Sequence, residues 1–409
     1  MDTVPGRDDT ADTTVLAAQL VRMGLAGAHF ADILETFGTG VNAAGIPLMR
    51  AHVTLRAHHP EYGSLSHRWH RQDGIVSESY EHTDELRGNW LASPLYHLLA
   101  HDISELRVSL RDTPADMEFE VFDDLRAQGG TEYLALKTFF YDPGDSLAVD
   151  PDSPPEGSLI SLTSDGPDGF SDVQADALRQ LLPVLKLALK SGANRRMASD
   201  IADIYLGRDA GSRVLSGDIL RGSVRRLDAV ICYFDLSGFT RLSETLSGPD
   251  IIAMLNDYFG VAVDVVQNHG GNVLKFMGDG MLAIFDVTTN EDAGASAVQA
   301  TVALREELAL ISKQRSDKGL TATGFTVALH SGEVLYGNIG GRTRLDFTVI
   351  GPAVNTAARL SGMCAHVDQN IVISATVARP LLTRRNDLVS LGQYRLRGVA
   401  ERQELFTLD

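Results

Sequence analysis

The spacing of apolar and polar positions along the first 190 residues predicts a mixture of helices and strands. Helical spacing predicts two helices between Thr14 and Gly45, and further helices at these places: Pro94–Leu99, Phe119–Gln128 and Ser171–Lys190, the last capped by Ser171. Strand-like runs lie at Pro47–Leu55, Leu65–Trp69 and Tyr133–Tyr141. The breaker-rich stretch Asp142–Gly169 predicts loops and a β-hairpin around the apolar run Ser158–Leu162. This part is therefore predicted to be an α+β domain.

From Leu227 onward, strands and helices alternate more regularly. The predicted strands are Leu227–Phe234, Gly270–Phe276, Gly280–Phe285, Phe325–Ser331, Phe347–Ile350, Ile371–Ser374 and Tyr394–Leu396. The predicted helices contain Ile251–Val266, Asp292–Leu310 and Ala353–Cys364. The second and third strands form a hairpin through Met277-Gly278-Asp279. This order predicts an α/β sandwich whose mostly antiparallel sheet is covered by helices on one side.

Composition narrows the class of protein. Hydrophobic residues make up 44% of the chain and charged residues 22%, as in globular proteins, and no run of about 18 apolar residues predicts a membrane span. The acidic, polar N-terminus does not resemble a secretory signal, and only Cys232 and Cys364 occur. We therefore expect a cytoplasmic protein without disulfides. The net charge of −18 argues against nucleic acid or an anionic membrane as a partner.

Two acidic turns carry the candidate chemistry. Asp235 ends an apolar run and is followed by Leu-Ser-Gly-Phe-Thr, and Asp279 lies within Gly-Asp-Gly after a second apolar run. Small residues beside each Asp allow a ligand to approach the backbone. Two carboxylates brought together at strand ends can hold two divalent cations roughly 3.5–4 Å apart, which suits displacement of one phosphate oxygen by another.

Residues of about 224–409 resemble the catalytic domain of class III nucleotidyl cyclases, which make cyclic AMP or cyclic GMP. The resemblance rests on the two acidic turns and on the segment from Phe347 to Arg359. It implies that Asp235 and Asp279, with the Leu236 carbonyl, bind two Mg²⁺ or Mn²⁺ ions. It also implies substrate contacts from other residues of the first motif, namely Phe234, Gly238, Phe239 and Thr240.

The same resemblance assigns roles to three further residues. Asn355 and Arg359 are four apart, so they share one helix face. The family places a ribose-orienting Asn and a transition-state Arg at these positions. Arg397 aligns with a family Lys that binds the terminal phosphates; Arg keeps the charge and changes the geometry. Strand alternation would put Arg395 on the same face as Arg397, which leaves Arg395 as an alternative.

Base preference is predicted from two positions. Lys275 can donate to adenine N1, and Thr348 can accept from the adenine amino group. Guanylyl cyclases commonly carry Glu in place of this Lys, so Lys275 argues for ATP. The Lys/Thr pair resembles the class IIIb subgroup of adenylate cyclases. Asp346 is an alternative to Thr348, but the spacing to Gly351 and Asn355 favours Thr348.

The resemblance implies a head-to-tail homodimer, in which each site takes its metals from one subunit and its base, ribose and α-phosphate contacts from the other. The class IIIb likeness also raises bicarbonate as an effector. The predicted function is thus an adenylate cyclase. The alternatives are a guanylate cyclase and a non-catalytic nucleotide-binding protein, although the metal, Asn and Arg positions are all occupied.

The N-terminal half resembles a GAF-type sensor in the order of its elements, with a PAS-like or unclassified α+β domain as the alternative. We predict a disordered tail at residues 1–14, a regulatory domain at 15–192, a glycine-punctuated helical connector at 193–227 and the catalytic domain at 228–409. Eight histidines fall between His52 and His101, without the spacing of a common metal or haem motif. An unidentified small molecule is the expected effector.

Overall fold

The computed structural model describes residues 12–56, 62–81, 90–114, 117–139, 157–399 and 401–409. The chain divides into two compact units, residues 1–201 and 202–409. No helix in the described ranges is long and apolar enough to cross a bilayer. Most of the predicted disordered tail lies outside the described residues, and Thr14 already begins the first helix.

The N-terminal unit is a six-stranded sheet with helices on both faces. Its elements are α1 (Thr14–Ala26), α2 (Phe30–Ala43), β1 (Leu48–Arg56), β2 (Tyr62–His70), β3 (Gly74–Glu81), α3 (Pro94–Ala100), β4 (Glu105–Ser109), α4 (Glu120–Ala127), β5 (Glu132–Phe139), β6 (Gly157–Ser164) and most of α5 (Asp172–Leu206). The helices and strands expected here form, and β3 and β4 are additional strands that the sequence pattern did not predict.

The sheet order is β3-β2-β1-β6-β5-β4, and every pair is antiparallel. The predicted run Ser158–Leu162 lies in β6, at the centre of the sheet. One face packs against α1, α2 and α5 through residues such as Phe37, Val53 and Leu182. The other face packs against α3 and α4, where Phe122 and Tyr133 are buried. The mixed helix and strand fold is confirmed, and the GAF-like assignment of this unit stays a prediction.

Two of the described histidines of this unit are held by structural contacts. His52 bonds to the Ser66 hydroxyl through its Nε2 atom at 2.6 Å, and His67 stacks on Phe30 with ring centroids 3.9 Å apart. Burial lowers the pKa of both, to about 3 for His52 and about 4 for His67. His58, His59 and His82 lie outside the described residues. Within the described ones, no three potential His, Cys, Asp or Glu ligands cluster.

Helix α5 differs from the prediction. We expected one helix ending at Lys190 and a second short helix in the connector, but a single helix runs from Asp172 to Leu206. It begins with reciprocal hydrogen bonds between Ser171 and Gln174, as expected for a Ser N-cap. The boundary between the two units falls inside this helix, at residues 201 and 202.

The C-terminal unit contains an eight-stranded sheet and its covering helices. After α5 come α6 (Arg208–Leu215), β7 (Val224–Leu236), α7 (Phe239–Thr245), α8 (Gly248–Asn268), β8 (Asn272–Met277), β9 (Gly280–Asp286), α9 (Ala293–Asp317), β10 (Phe325–Gly340), β11 (Leu345–Ile350), α10 (Pro352–Ser361), β12 (Ile371–Ser374), α11 (Ala375–Ala378), β13 (Leu388–Tyr394) and β14 (Gln403–Leu408). The elements are close to those predicted, with α6, α7, α11, β13 and β14 in addition.

The sheet order is β13-β14-β12-β10-β7-β9-β8, and β11 pairs with β10. Only the β10–β12 pair is parallel in this described sheet, so the prediction of a mostly antiparallel sheet is confirmed. Helices α8 and α9 cover one face, where Cys232, Phe234 and Phe285 are buried. Helices α6 and α10 pack on the other face, beside Ala229 and Ile231, so the prediction that helices cover only one side is wrong. Burial raises the pKa of Cys232 to about 12, as expected for an inert core thiol.

Two strand boundaries differ from the prediction. Strand β10 extends to Gly340, whereas the sequence predicted that it would end at Ser331. The glycines after Ser331 lie within the strand and do not end it. A Cβ atom at Gly337 would clash with the Ser223 carbonyl, so glycine permits close approach there. The predicted strand Tyr394–Leu396 is wrong, because β13 ends at Tyr394 and the chain turns at Gly398, whose φ is 71°.

Candidate active site

The two predicted metal-binding aspartates lie side by side. Asp235 is near the end of β7, and Asp279 is in the turn that joins β8 to β9. Strand pairing places Asp235 opposite Gly280, and the Leu236 amide donates to the Asp279 carbonyl at 3.2 Å. A Cβ atom at Gly280 would lie 3.0 Å from Asp235 Oδ1. The Gly-Asp-Gly sequence therefore lets the turn approach the first carboxylate.

The charges of the Asp235 and Asp279 carboxylates favour the binding of cations. Burial, followed by the charge of Asp279, raises the pKa of Asp235 to about 6. Burial and both carboxylates also raise the pKa of Tyr233. Two carboxylates that repel each other in a half-buried position are stabilised by divalent cations, and hard oxygen donors suit Mg²⁺ or Mn²⁺. The donor set therefore fits the predicted metal ions.

Backbone contacts fix the loop that follows Asp235. The Ser237 amide donates to the Gly324 carbonyl at 2.9 Å, and the Thr323 hydroxyl donates to the Ser237 carbonyl at 2.6 Å. Gly238 then adopts a φ of 70° and begins α7. Glycine suits this left-handed conformation, which turns the chain away from the sheet. These contacts hold the loop after Asp235 against the segment that precedes β10. In the sheet, β7 lies between β10 and β9, the strand that follows Asp279.

The other residues of the first motif occupy different environments. Phe239 packs partly against the core, and Thr240 is exposed on α7. Phe234 and Leu236 are buried, and Phe234 stacks on Phe325 with ring centroids 6.0 Å apart. The Phe234 side chain therefore belongs to the core, and only its main chain could face a nucleotide.

Lys275 follows a β-bulge in β8. Val273 pairs with Ala283 and Lys275 pairs with Leu282, so Leu274 is an extra residue in the ladder. A bulge bends a strand and re-aims the side chains beside it. Leu274 is buried, whereas Lys275 is partly exposed at the edge of the sheet.

Thr348 lies in β11 opposite Gly337 and is 6% exposed. Its Oγ1 atom is buried and has no hydrogen-bond partner among the described residues. Such a hydroxyl costs about 1–3 kcal/mol unless a partner satisfies it. Strands β11 and β8 approach each other, so the unsatisfied hydroxyl and Lys275 belong to the same region of one chain. Asp346, the alternative to Thr348, is exposed at the start of β11.

Asn355 and Arg359 are exposed on α10, as their spacing predicts. Arg359 Nη1 donates to the Gly398 carbonyl at 3.4 Å, and a Cβ atom at Gly398 would lie 3.2 Å from Arg359 Nη2. Arg397 precedes this glycine in the turn after β13 and is exposed. Because Arg395 also lies beyond β13, strand alternation does not relate Arg395 to Arg397, which corrects that expectation.

The described candidate residues are divided into two sets by the elements that carry them. Asp235 and Asp279 form one, and Lys275, Thr348, Asn355 and Arg359 lie on β8, β11 and α10, with Arg397 near Arg359. Among the described residues, no hydrogen bond or ion pair links the aspartates to Asn355 or Arg359. Sequence reasoning did not identify Thr323 or Gly398. Thr323 belongs to no recognisable sequence motif, whereas Gly398 directly follows the candidate residue Arg397 and could have been found from that position.

Part of the chain is similar to known proteins. Residues 223–409 match the family described as the adenylate and guanylate cyclase catalytic domain. The chain is 33% identical over 159 residues to "Adenylate cyclase" of Anabaena cylindrica, covering 39% of this chain and 31% of that protein. It is 29% identical over 153 residues to "Adenylate cyclase 1" of Rhizobium meliloti, covering 37% and 23% respectively.

Among solved structures, the adenylyl cyclase CyaB from P. aeruginosa superposes with a TM-score of 0.42 and 24% identity, covering 46% of this chain and 96% of that one. The chain spans less than a third of the length of the two curated relatives named above. Residues 223–409, which make up less than half of the chain, are thus similar in sequence to the adenylate and guanylate cyclase catalytic domain.

Proposed function

We propose that this protein is an adenylate cyclase that converts ATP to 3′,5′-cyclic AMP and pyrophosphate. The observation that carries the proposal is the pairing of two features. Asp235 and Asp279 lie together at one strand end, and a lysine and an unsatisfied buried hydroxyl lie on two neighbouring strands. The first feature suits a metal-bound triphosphate, and the second suits a purine base.

Base recognition follows from the donors and acceptors at the second feature. Lys275 donates to adenine N1, and Thr348 Oγ1 accepts from the exocyclic amino group, which satisfies the hydroxyl. Guanine presents a donor at N1, which Lys275 cannot accept. A site that leaves a buried polar group unpaired with the wrong ligand rejects that ligand strongly. These two residues therefore favour ATP over GTP.

The remaining residues position the reacting atoms. Asn355 orients the ribose so that its 3′-oxygen faces the α-phosphorus, and the Arg359 guanidinium stabilises charge that grows on the α-phosphate. Arg397, next to the glycine that Arg359 contacts, binds the terminal phosphates. When bound, two Mg²⁺ or Mn²⁺ ions at Asp235 and Asp279 would promote ionisation of the 3′-hydroxyl and neutralise phosphate charge. The 3′-oxygen forms a bond to the α-phosphorus as the bond to pyrophosphate breaks, and the 3′-hydroxyl proton passes to water.

A homodimer completes this site. The aspartates and the α10 residues have no direct link within the described part of one chain, and a nucleotide must contact both groups. Phe276, beside Lys275, is 51% exposed, and Ile350, close to Thr348, is 46% exposed. Exposed apolar side chains next to a base-binding region suit coverage by a second subunit. In a head-to-tail dimer, one chain supplies the metals and its partner supplies the base, ribose and α-phosphate contacts.

Regulation is assigned to the N-terminal unit. We propose that it is a GAF-like sensor for a small molecule and that bicarbonate acts on the catalytic half, in a cytoplasmic protein. Its antiparallel sheet with helices on both faces supports a sensor module. Turnover of the full chain, compared at matched dimer concentration with a chain that begins at residue 202, tests this. Equal kcat and KM for the two would contradict regulation by this unit.

The activity itself is tested by incubating the full-length protein with ATP or GTP and either Mg²⁺ or Mn²⁺, with chromatographic quantification of the cyclic product. Cyclic AMP from ATP, with much less cyclic GMP from GTP, is the expected result. Faster turnover of GTP would instead identify a guanylate cyclase. Nucleotide binding with no turnover under any of these conditions would identify a non-catalytic nucleotide-binding protein.

A further inference from the structure

The connector packs into the scaffold of the proposed base-binding residues, and Tyr233 and Met277, which are near the two aspartates in sequence, lie at the edge of the same cluster. Ala210 of α6 is 1% exposed, and Leu206 and Val214 pack beside it in one apolar cluster. The cluster includes residues adjacent to the predicted base contacts: Leu274 before Lys275, Phe347 and Val349 on either side of Thr348, and Ala353 and Ala357 of α10. The connector therefore contacts the side of the unit that holds base and ribose.

Gly207 brings the connector directly to the bulge in β8. It has a φ of 84° and precedes α6, and a Cβ atom there would lie 2.6 Å from the Val273 carbonyl. Val273 is the last regularly paired residue before the bulge, two positions from Lys275. Any other residue at position 207 would be strained by its backbone conformation and would press on this carbonyl.

Tyr336 joins the connector to both base-binding strands. Its side chain is 2% exposed, and its hydroxyl accepts from Asn272 of β8 at 3.4 Å. Burial, and then the nearby Asp209 carboxylate of α6, raises the pKa of this hydroxyl. Its ring lies edge-on to Phe347 of β11, with centroids 4.7 Å apart. One buried side chain of β10 therefore contacts α6, the strand of Lys275 and the strand of Thr348.

Two arginines hold the same tyrosine in place. The Arg213 and Arg225 guanidinium groups lie 5.8 and 5.6 Å from the centre of the Tyr336 ring. Arg213 Nε donates to Asp209 at 2.9 Å, and Arg225 pairs with Asp286 at 3.3 Å. A charged network around a buried hydroxyl favours one arrangement of its members over others.

We propose that Gly207, Asp209 and Tyr336 are positioning residues that set the geometry of Lys275 and Thr348, so that the connector controls base recognition. This inference rests on the proposed function. A change in the connector would move the bulge in β8 and the neighbouring part of β11 through direct contacts. It would alter nucleotide affinity and the ratio of ATP to GTP use.

The first test is Tyr336→Phe in the full-length protein, which removes the hydroxyl and keeps the ring. One lost hydrogen bond in a buried site should raise KM for ATP and lower the ATP/GTP ratio of kcat/KM by about three- to ten-fold. Tyr258→Phe is the matched control. Tyr258 is equally buried and its hydroxyl bonds to Ser312 and Thr323, but it lies in the cluster under α8 and α9. Its loss should leave the ATP/GTP ratio unchanged.

The second test compares two connector glycines. Gly207→Ala should raise KM for ATP and lower the ATP/GTP ratio, because the new Cβ presses on Val273. Gly217→Ala introduces similar backbone strain, since its φ is 95°, but meets no atom within 4 Å. It should therefore affect stability without changing the ratio. If Tyr336→Phe does not fold, this pair still decides the question.

The outcomes separate this inference from the proposed function. If the wild type forms no cyclic nucleotide, the proposed activity fails, and the ratio of affinities for fluorescent ATP and GTP analogues still tests the connector. Unchanged ratios in both Tyr336→Phe and Gly207→Ala would overturn the inference. An unchanged ratio with a reduced kcat would place the effect of the connector at the aspartates instead.

Discussion

The amide of Leu236 donates a hydrogen bond to the main-chain carbonyl of Asp279 at 3.2 Å, which ties the end of β7 to the β8–β9 turn. The two carboxylates are thus held near each other by backbone, independently of any side-chain contact. Replacing either carboxylate should therefore leave the local fold in place. Loss of activity on replacing either carboxylate should therefore report on chemistry rather than on folding.

Asp235→Asn should abolish cyclic AMP formation with either Mg²⁺ or Mn²⁺, because it removes a charged metal ligand. In metal-free buffer the same variant should melt at a higher temperature than the wild type, since it relieves repulsion with Asp279. Circular dichroism melts and product assays check both parts. Near-normal turnover with Mn²⁺ would contradict the assigned metal site.

Thr348→Val should separate stability from affinity. Valine has a similar shape and removes a buried hydroxyl that has no partner in the described part of the chain, so the free energy of unfolding should stay the same or rise by about 1 kcal/mol. KM for ATP should rise several-fold, because the adenine amino group loses its acceptor. Urea unfolding and steady-state kinetics give the two values. Lower stability with unchanged KM would show that the hydroxyl is structural.

Lys275→Glu should lower kcat/KM for ATP by more than for GTP, because Glu cannot donate to adenine N1 and can accept from guanine. The measurement is the ratio of the two values for variant and wild type. Lys318→Glu makes the same charge change at the C-terminal end of α9, outside the base-binding strands, and should keep the wild-type ratio. An unchanged ratio in Lys275→Glu would place the base elsewhere.

Mixing two inactive variants tests the shared site. Asp279→Ala and Arg359→Ala should each be inactive alone, because each lacks one half of every site. A mixed dimer contains one site with both lesions and one intact site, so part of the activity should return. Subunit exchange must be shown separately, for example by energy transfer between labelled chains. Exchange without recovered activity would contradict sites formed at a dimer interface.

Acid should destabilise the N-terminal unit through His52. Burial, followed by the charges of Arg50, Arg68 and His67, lowers its pKa to about 3 in the folded state, from 6.5. Between these values the unfolded chain binds more protons, so stability is complete above about pH 6.5 and decreases as the pH falls towards 3. At pH 5 this one group accounts for about 2 kcal/mol.

His52→Gln should reduce that pH dependence, measured as the urea midpoint between pH 7 and 4.5. Some dependence should remain, because the pKa of His67 is lowered to about 4 and has the same sign of effect. Glutamine can still bond to Ser66, so the variant tests titration more than packing. Identical slopes for variant and wild type would contradict a buried neutral His52.

The sequence predicted elements well where local pattern and burial agree. The alternation in β7 and the glycines around Asp279 predicted both the hairpin and the meeting of the two aspartates. The sequence pattern failed where contacts between residues far apart in the chain determine the backbone conformation. Gly332 and Gly337 read as breakers, yet β10 continues through them because β7 and β11 pair along its length.

For the candidate site, too, the sequence predicted some features and missed others. Residue types and spacing identified Asn355 and Arg359 as neighbours on one helix face, which is a local property. The roles of Gly207 and Tyr336 could not be predicted, because each depends on atoms far away in the sequence: the Val273 carbonyl, and Asp209 with Asn272. Likewise, only the structure shows that the Thr348 hydroxyl is buried and has no hydrogen-bond partner among the described residues.

The position of β8 at the end of the C-terminal sheet has a consequence for solubility. Its outer edge pairs with no strand in the described residues, and unpaired backbone of this kind invites strands of other molecules to add to the sheet. A lysine and a bulge are two features that discourage such addition, and β8 carries both, at Lys275 and Leu274. The residues proposed to recognise the base are therefore also residues that discourage strand addition. A change at position 275 to an apolar side chain should promote self-association, in addition to the weaker ATP binding that the proposed function predicts.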